Sequence, residues 1–127
     1  MSHWNMTKSE FDLYVARKLS KKASNARERG IGFSMTFASM KNLLSAKRCY
    51  YTGVPLELPK SGQVYQAPNA LTIDRIDSSK PYEAGNVVAC CNAFNNMKGQ
   101  AEAAGIEGLK LVAKAFGKAV KRMEKMQ

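Results

Sequence analysis

Residues 71–99 read LTIDRIDSSKPYEAGNVVACCNAFNNMKG, and the reading of this stretch decides the fold. Leu71-Thr72-Ile73 alternates apolar and polar side chains as a half-buried strand does, and it delivers Asp74 at or near the strand end. Pro81, Gly85 and Asn86 mark a connecting loop. Beyond it, Val87-Val88-Ala89 forms a short buried segment leading into a helix from about Asn92 to Lys98. The same stretch gathers two aspartates, an arginine, several asparagines and two lysines. Asp and Asn offer hard oxygen ligands suited to Mg²⁺-like ions, while Arg and Lys answer the charge of a phosphate. Together they are the residue set of a small phosphodiester-cutting site.

Upstream, Cys49-Tyr50-Tyr51-Thr52-Gly53-Val54-Pro55-Leu56 combines β-favouring residues with a Gly/Pro turn, and a polar loop from Lys60 to Asn69 follows. Taken with Leu71–Ile73, this run predicts a β-hairpin and the order strand, strand, helix. Thr7-Lys8-Ser9-Glu10 has the spacing of a capping box, and Phe11, Val15 and Leu19 recur behind it at helical spacing, with Leu13 and Tyr14 broadening the stripe. This helix is expected to end near Gly30. A second short helix capped by Ser34 or Thr36 carries Phe37, Met40, Leu43 and Leu44. From about Ile106 to Met126 the chain is helical again, with Leu109, Val112, Phe116, Val120 and Met123 on one stripe and lysines largely off it. That stripe is expected to pack on its own domain, the alternative being a partner-binding or dimerisation helix.

With 127 residues the chain has length for one domain, and 45% hydrophobic residues argue against wholesale disorder. The expected class is α+β. Residues 1–48 form a basic helical arm, 49–100 the core, and 101–127 a basic C-terminal helix. Charge divides the same way: the net is +7 over residues 1–48, zero over 49–100 and +3 over 101–127, giving +10 in all. A neutral, carboxylate-bearing centre between basic flanks fits a polyanion gripped by the flanks and worked on in the middle. Arg17, Lys18, Lys21, Lys22, Arg27, Arg29, Lys47 and Arg48 are the nucleic-acid-binding candidates. The bland reading of these charges is a solvated surface without a ligand. Three cysteines without disulfide spacing, no N-terminal signal-like stretch and no long apolar run predict a cytoplasmic protein without a membrane span.

Three blocks carry a resemblance: Cys49 to Leu56 as C-x-x-T-G-x-P-L, Ile73 to Val88 as I-D-R-I-D-S-S-K-x-Y-x-x-G-N-V-V, and Asn95 to Lys98 as N-x-M-K. In this order they resemble the small phage-type members of the HNH, or ββα-metal, endonuclease family. The resemblance implies a ββα-metal core flanked by helices and a divalent-metal-dependent endonuclease using Mg²⁺ or Mn²⁺. It implies DNA as substrate, with RNA as the alternative, and a phage or mobile-element protein working in a bacterial host. It assigns Asp74 as the metal-binding aspartate ending the second strand and Asn95 as the last metal ligand. Asn86 becomes the brace of the loop, and Lys98 steadies phosphate or the helix end. Taken singly, Asp74 and Asn95 also suit turn or helix caps, Asn86 an ordinary loop position, and Lys98 a solvated charge.

Two departures matter. The residue after the aspartate is commonly a base histidine, and here it is Arg75. The single histidine, His3, lies outside every motif. Arginine stays protonated and cannot accept the proton of the attacking water, but it can hold phosphate or stabilise transition-state charge. Asp77 is the expected base, since a sister group of the family places its base histidine three residues after the aspartate. Tyr82 is a weaker candidate, and a plain ion pair between Arg75 and Asp77 is the structural alternative. The cysteine pairs of a structural zinc site are also incomplete, so no structural zinc is expected and Cys49, Cys90 and Cys91 should be small buried hydrophobes. A catalytically inactive nucleic-acid-binding protein of this fold, or a small inhibitor or adaptor gripping an acidic protein, are the rival functions; a homodimer is compatible with all three.

Overall fold

The computed structural model describes residues 4–127, so His3 lies outside the described residues. Helix α1 (Lys8–Glu28) starts as expected. Thr7 Oγ1 accepts from Glu10 N at 3.1 Å, and Glu10 Oε1 accepts from Thr7 N at 2.7 Å, so two otherwise orphaned amides are satisfied. The Thr7 amide, then its hydroxyl, hold the Glu10 carboxyl below its usual range. At the other end Gly30 adopts φ +68°, the left-handed conformation that closes a helix, and Ile31 N donates back to Ala26 O at 2.8 Å. Phe11 and Val15 are buried and Leu19 packs against the core, whereas Leu13 faces solvent.

Helix α2 (Phe37–Leu44) is capped by Thr36 together with Ser39, and it buries Met40, Leu43 and Leu44 against α1. Between α2 and the sheet the chain runs without regular elements, held by side chains. Gln66 alone donates to the carbonyls of Lys60 and Gln63 and accepts from Lys60 N, which closes the 60–66 loop on itself.

The sheet has two antiparallel strands, β1 (Leu71–Arg75) and β2 (Val87–Cys91), in the register Leu71 to Cys91 and Asp74 to Val88. Helix α3 (Asn92–Ala101) follows β2 without a loop. Its first amides donate to Ala70 O and Pro68 O, the carbonyls just ahead of β1, so the helix is pinned across the strand. The order ββα is therefore present, but the hairpin differs from the sequence expectation. The Cys49–Leu56 run is not its first strand. Gly53 N bonds Cys49 O and Cys49 N bonds Val54 O, so this run folds into a tight turn with Gly53 at φ +76° and reaches β2 through Tyr50 N to Ala89 O. The partner of Leu71–Arg75 is Val87–Cys91, buried at four of five positions, which is why it reads as a continuous apolar run rather than an alternating strand. Asp74 thus sits one residue before the end of the first strand of the sheet, not at the end of a second.

Helix α4 (Gly105–Met126) departs furthest from expectation. Only Gly108 is buried, Leu109 and Val112 are partly covered, and every residue from 113 onward is exposed. The helix leans on α3 and the 102–104 turn at its start and then leaves the body. The predicted stripe exists, but it does not pack on the domain. Among the described residues no helix is long and apolar enough to cross a membrane.

Candidate active site

Side chains two apart on a strand share a face, and side chains three apart on a helix share a face. Thr72 and Asp74 on β1 meet Asn95 and Lys98 on α3 in this way. Asn95 Nδ2 donates to Thr72 Oγ1 at 3.1 Å, while the Thr72 hydroxyl donates to Cys90 O at 2.8 Å. One helical turn on, Lys98 Nζ lies 3.4 and 3.3 Å from the two Asp74 oxygens, 3.0 Å from Arg75 O and 3.0 Å from Glu102 Oε1. Lys98 is only 6% exposed and Asp74 only 7%, so this is a buried ion pair extended by a second carboxylate. The opposite side of Asp74 is occupied too: Tyr51 Oη donates to Oδ2 at 2.6 Å. Burial, then that hydrogen bond and the carboxylate charge, push the Tyr51 phenol well above its usual range, so Tyr51 works as a proton donor to Asp74 and not as a base.

A cleft opens beside this pair, lined by Asp74, Arg75, Asn95 and Glu102 from the sheet and α3 side, Tyr82 from the loop, and Lys22 and Arg29 from α1 and its C-cap. The α1 end is tied to the loop through Tyr82 N to Gly32 O and Ser34 N to Tyr82 O. The approach is close: a Cβ on Gly32 would lie 3.0 Å from Pro81 Cβ. The Tyr82 ring has the Arg75 guanidinium 4.9 Å and the Lys22 ammonium 5.8 Å from its centroid, which gathers two cations at one wall. Arg75 Nη1 also donates to Lys80 O, fixing the guanidinium. It does not pair with Asp77.

Asp77 lies on the loop. Its Oδ1 accepts from Ser79 Oγ at 2.6 Å and Ser79 N at 3.0 Å, and these donors hold its carboxyl below the usual range. It borders an adjoining groove with Ile76, Ser78 and Glu102 rather than the Asp74 cleft. Asn86 closes the same loop: Oδ1 accepts from Asp77 N, and Nδ2 donates to Asp77 O and Pro81 O, each at 3.0 Å.

The basic candidates divide. Lys22 and Arg29 border the cleft, while Lys18, Lys21 and Arg17 line a neighbouring groove with Lys60 and Gln66. Burial, then the charges of Lys21 and Lys22, hold the Lys18 ammonium below its usual range, the mark of a crowded cationic strip. Beside it the tip of the 60–66 loop leaves Val64 and Tyr65 almost fully exposed. Arg27 is exposed outside these grooves, Lys47 sits 4.4 Å from the Trp4 ring, and Arg48 donates to Gly53 O. These three are not brought to the cleft.

Sequence reasoning missed Glu102 and Tyr51 and read Lys98 as steadying phosphate or the helix end, or as a solvated charge. Glu102 had a local signal, since it stands four residues after Lys98 on a continuing helical path. Tyr51 had none, because it joins Asp74 from 23 positions away in the chain. The thiols of Cys49, Cys90 and Cys91 are all buried. Burial raises the Cys90 thiol; it works in the same direction on Cys49, where hydrogen bonds from Thr52 and nearby amides outweigh it and bring the thiol down to about 6.

Among the described residues no three His, Cys, Asp or Glu side chains gather as a metal cluster. The donor set at the cleft nonetheless has the chemistry a hard divalent ion takes, one or two carboxylates with water and phosphate oxygens completing the shell. Asp74 and Glu102 supply the carboxylates, and Asn95 Oδ1 has no partner among the described residues.

No family model matches the chain. It is 29% identical over 84 residues to an uncharacterised 29.0 kDa protein from the dda–modA intergenic region of Enterobacteria phage T4, a match covering 66% of this chain. The chain spans about a third of that relative, 32% of its length. Among solved structures it is similar to the rare-cutting HNH restriction endonuclease PacI, whose structure is described as exhibiting a mechanism of DNA perturbation. The TM-score is 0.57 at 20% identity, covering 92% of this chain and 85% of that one. At this identity the likeness is one of fold, and the α+β architecture of this chain is similar to that of an HNH endonuclease.

Proposed function

We propose that the protein is a divalent-metal-dependent endonuclease that hydrolyses phosphodiester bonds in DNA. The observation that carries this reading is one cleft holding Asp74, Asn95, Arg75, Lys22 and Arg29, that is, oxygen donors for a cation beside three cations for a phosphate. Asp74 and Asn95 would hold the ion, Mg²⁺ or Mn²⁺, with Glu102 on its margin. A bound divalent ion supplies Lewis-acid stabilisation of the charge that builds on the phosphate. Arg75, braced by Lys80 O and Tyr82, meets the same charge from the protein side. Lys22 and Arg29 clamp the backbone, and the Arg17–Lys18–Lys21 strip extends the grip. Asn86 keeps the 77–81 turn closed under the site.

The proton acceptor is the point at which geometry redirects the reading of the sequence. Asp77 is committed to Ser79 and made less basic by it, whereas Glu102 borders both the cleft and the adjoining groove. Glu102, whose Oε1 is held 3.0 Å from Lys98 Nζ, is the carboxylate we assign to water deprotonation, through its other oxygen. Glu102→Gln is expected to lower single-turnover cleavage by roughly 10²-fold or more, the range for losing a positioned base, and Asp77→Asn by less than about tenfold. The reverse order of the two effects would return the role to Asp77.

One observation favours a second reading, binding without cleavage: Lys98 and Tyr51 already engage both Asp74 oxygens. Plasmid cleavage with Mg²⁺ or Mn²⁺ against EDTA separates the two, and a steep salt dependence on naked DNA separates either from an adaptor that grips an acidic protein. An RNA duplex of the same sequence tests the choice of polymer.

A further inference from the structure

Helix α4 divides its side chains by a rule stricter than ordinary amphipathicity. Read at seven-residue intervals, three adjoining columns are wholly apolar: Ile106, Ala113 and Val120; Leu109, Phe116 and Met123; Val112, Ala119 and Met126. All eight charged residues of the helix fall in the other four columns. Three apolar columns in seven make a stripe that must be covered, by a globular body or by a partner helix. The body of this chain covers the seam only partly, at Leu109 and Val112: Ile106 is 68% exposed, Phe116 57% and Met126 73%.

We infer that α4 is a self-association helix and that the occupant of its apolar face is α4 of a second copy, laid antiparallel about Phe116. Charge complementarity selects that occupant. The column flanking the seam on one side is Lys110, Gly117 and Glu124, and on the other Gly108, Ala115 and Arg122. An antiparallel two-fold pair faces each flank with its own copy reversed, so Lys110 meets Glu124 of the second copy and Glu124 meets its Lys110. On the other flank Arg122 meets small residues. Lys114, Lys118, Lys121 and Lys125 stay on the outer side, so like charges are not apposed. Lys110 is free to change partner, since its contact to Glu107 is 3.4 Å long between exposed side chains and worth little. Ile106, Phe116, Val120, Met123 and Met126 are each more than half exposed, so the seam offers a continuous apolar surface for a partner helix. Reversed helix dipoles add to the preference for the antiparallel pair. An acidic protein partner would have no use for a seam from which every lysine is excluded.

This inference is independent of the nuclease reading and is tested without it. Sedimentation or light scattering at tens of micromolar should give twice the 14.0 kDa of the single chain. Phe116→Glu, an exposed site whose change leaves the body intact by circular dichroism, should weaken association by roughly 30-fold or more, as loss of a central aromatic anchor does. Lys110→Glu should weaken it less, and Lys110→Glu with Glu124→Lys should restore it, which an unrelated hydrophobic collapse would not do. A wild-type chain that stays monomeric at those concentrations overturns the inference, whether or not it binds anionic vesicles. So does a dimer indifferent to Phe116→Glu.

Discussion

Asp74→Asn should abolish metal-dependent cleavage, lowering the rate by on the order of 10³-fold or more, while the protein stays folded and keeps its affinity for DNA. The substitution keeps the shape of the side chain and an oxygen able to accept from Tyr51 Oη, so packing between β1 and α3 survives. What it removes is the negative charge that makes Asp74 a ligand for a divalent ion. Lys98 keeps its bonds to Glu102 Oε1 and Arg75 O and is not left as a bare buried cation. Loss of a carboxylate beside Lys22, Arg29 and Arg75 makes the cleft more positive, so DNA should bind as well or better. Parallel measurement of cleavage, DNA binding and melting separates these effects. Retained cleavage would show that Asp74 is only a structural partner of Lys98.

Lys98→Met should have the largest effect on stability, about 3–5 kcal/mol, the usual cost of removing one member of a buried ion pair. Methionine fills the same volume, but the Asp74 and Glu102 carboxylates then face each other with no cation between them, and Arg75 O loses its donor. Urea unfolding measures the loss. The substituted site becomes a cage of three oxygen sources, so millimolar Mg²⁺ should raise the melting temperature of Lys98→Met more than that of the wild type. An exposed, merely solvated Lys98 would give a change within about half a kcal/mol, and no preferential Mg²⁺ effect would mean the cleft does not take the ion.

How much of this was legible beforehand depends on how local the determinants are. The caps at Thr7 and Thr36 and the stop at Gly30 were read correctly because each is decided within four residues. Asp74 and Asn95, read from separate motifs, line one cleft in the structure. The hairpin partner was misread because Cys49–Leu56 has strand composition but spends it on a turn, while β2 is too deeply buried to alternate. The burial of Lys98 was not legible because lysines are almost never buried unless paired, and its partners come from a strand and the next helical turn. Tyr51 reaches Asp74 only through tertiary folding. For α4 the stripe itself was visible, but the sequence of one chain does not say which surface meets it.

The most direct test of the central claim is cleavage of supercoiled plasmid by the wild-type protein in Mg²⁺, in Mn²⁺ and in EDTA, with Asp74→Asn alongside. The account predicts nicked or linear product with either ion, none in EDTA, and none with Asp74→Asn. Product in EDTA equal to that in Mg²⁺, or DNA bound by the wild type but left intact under every condition, would contradict it.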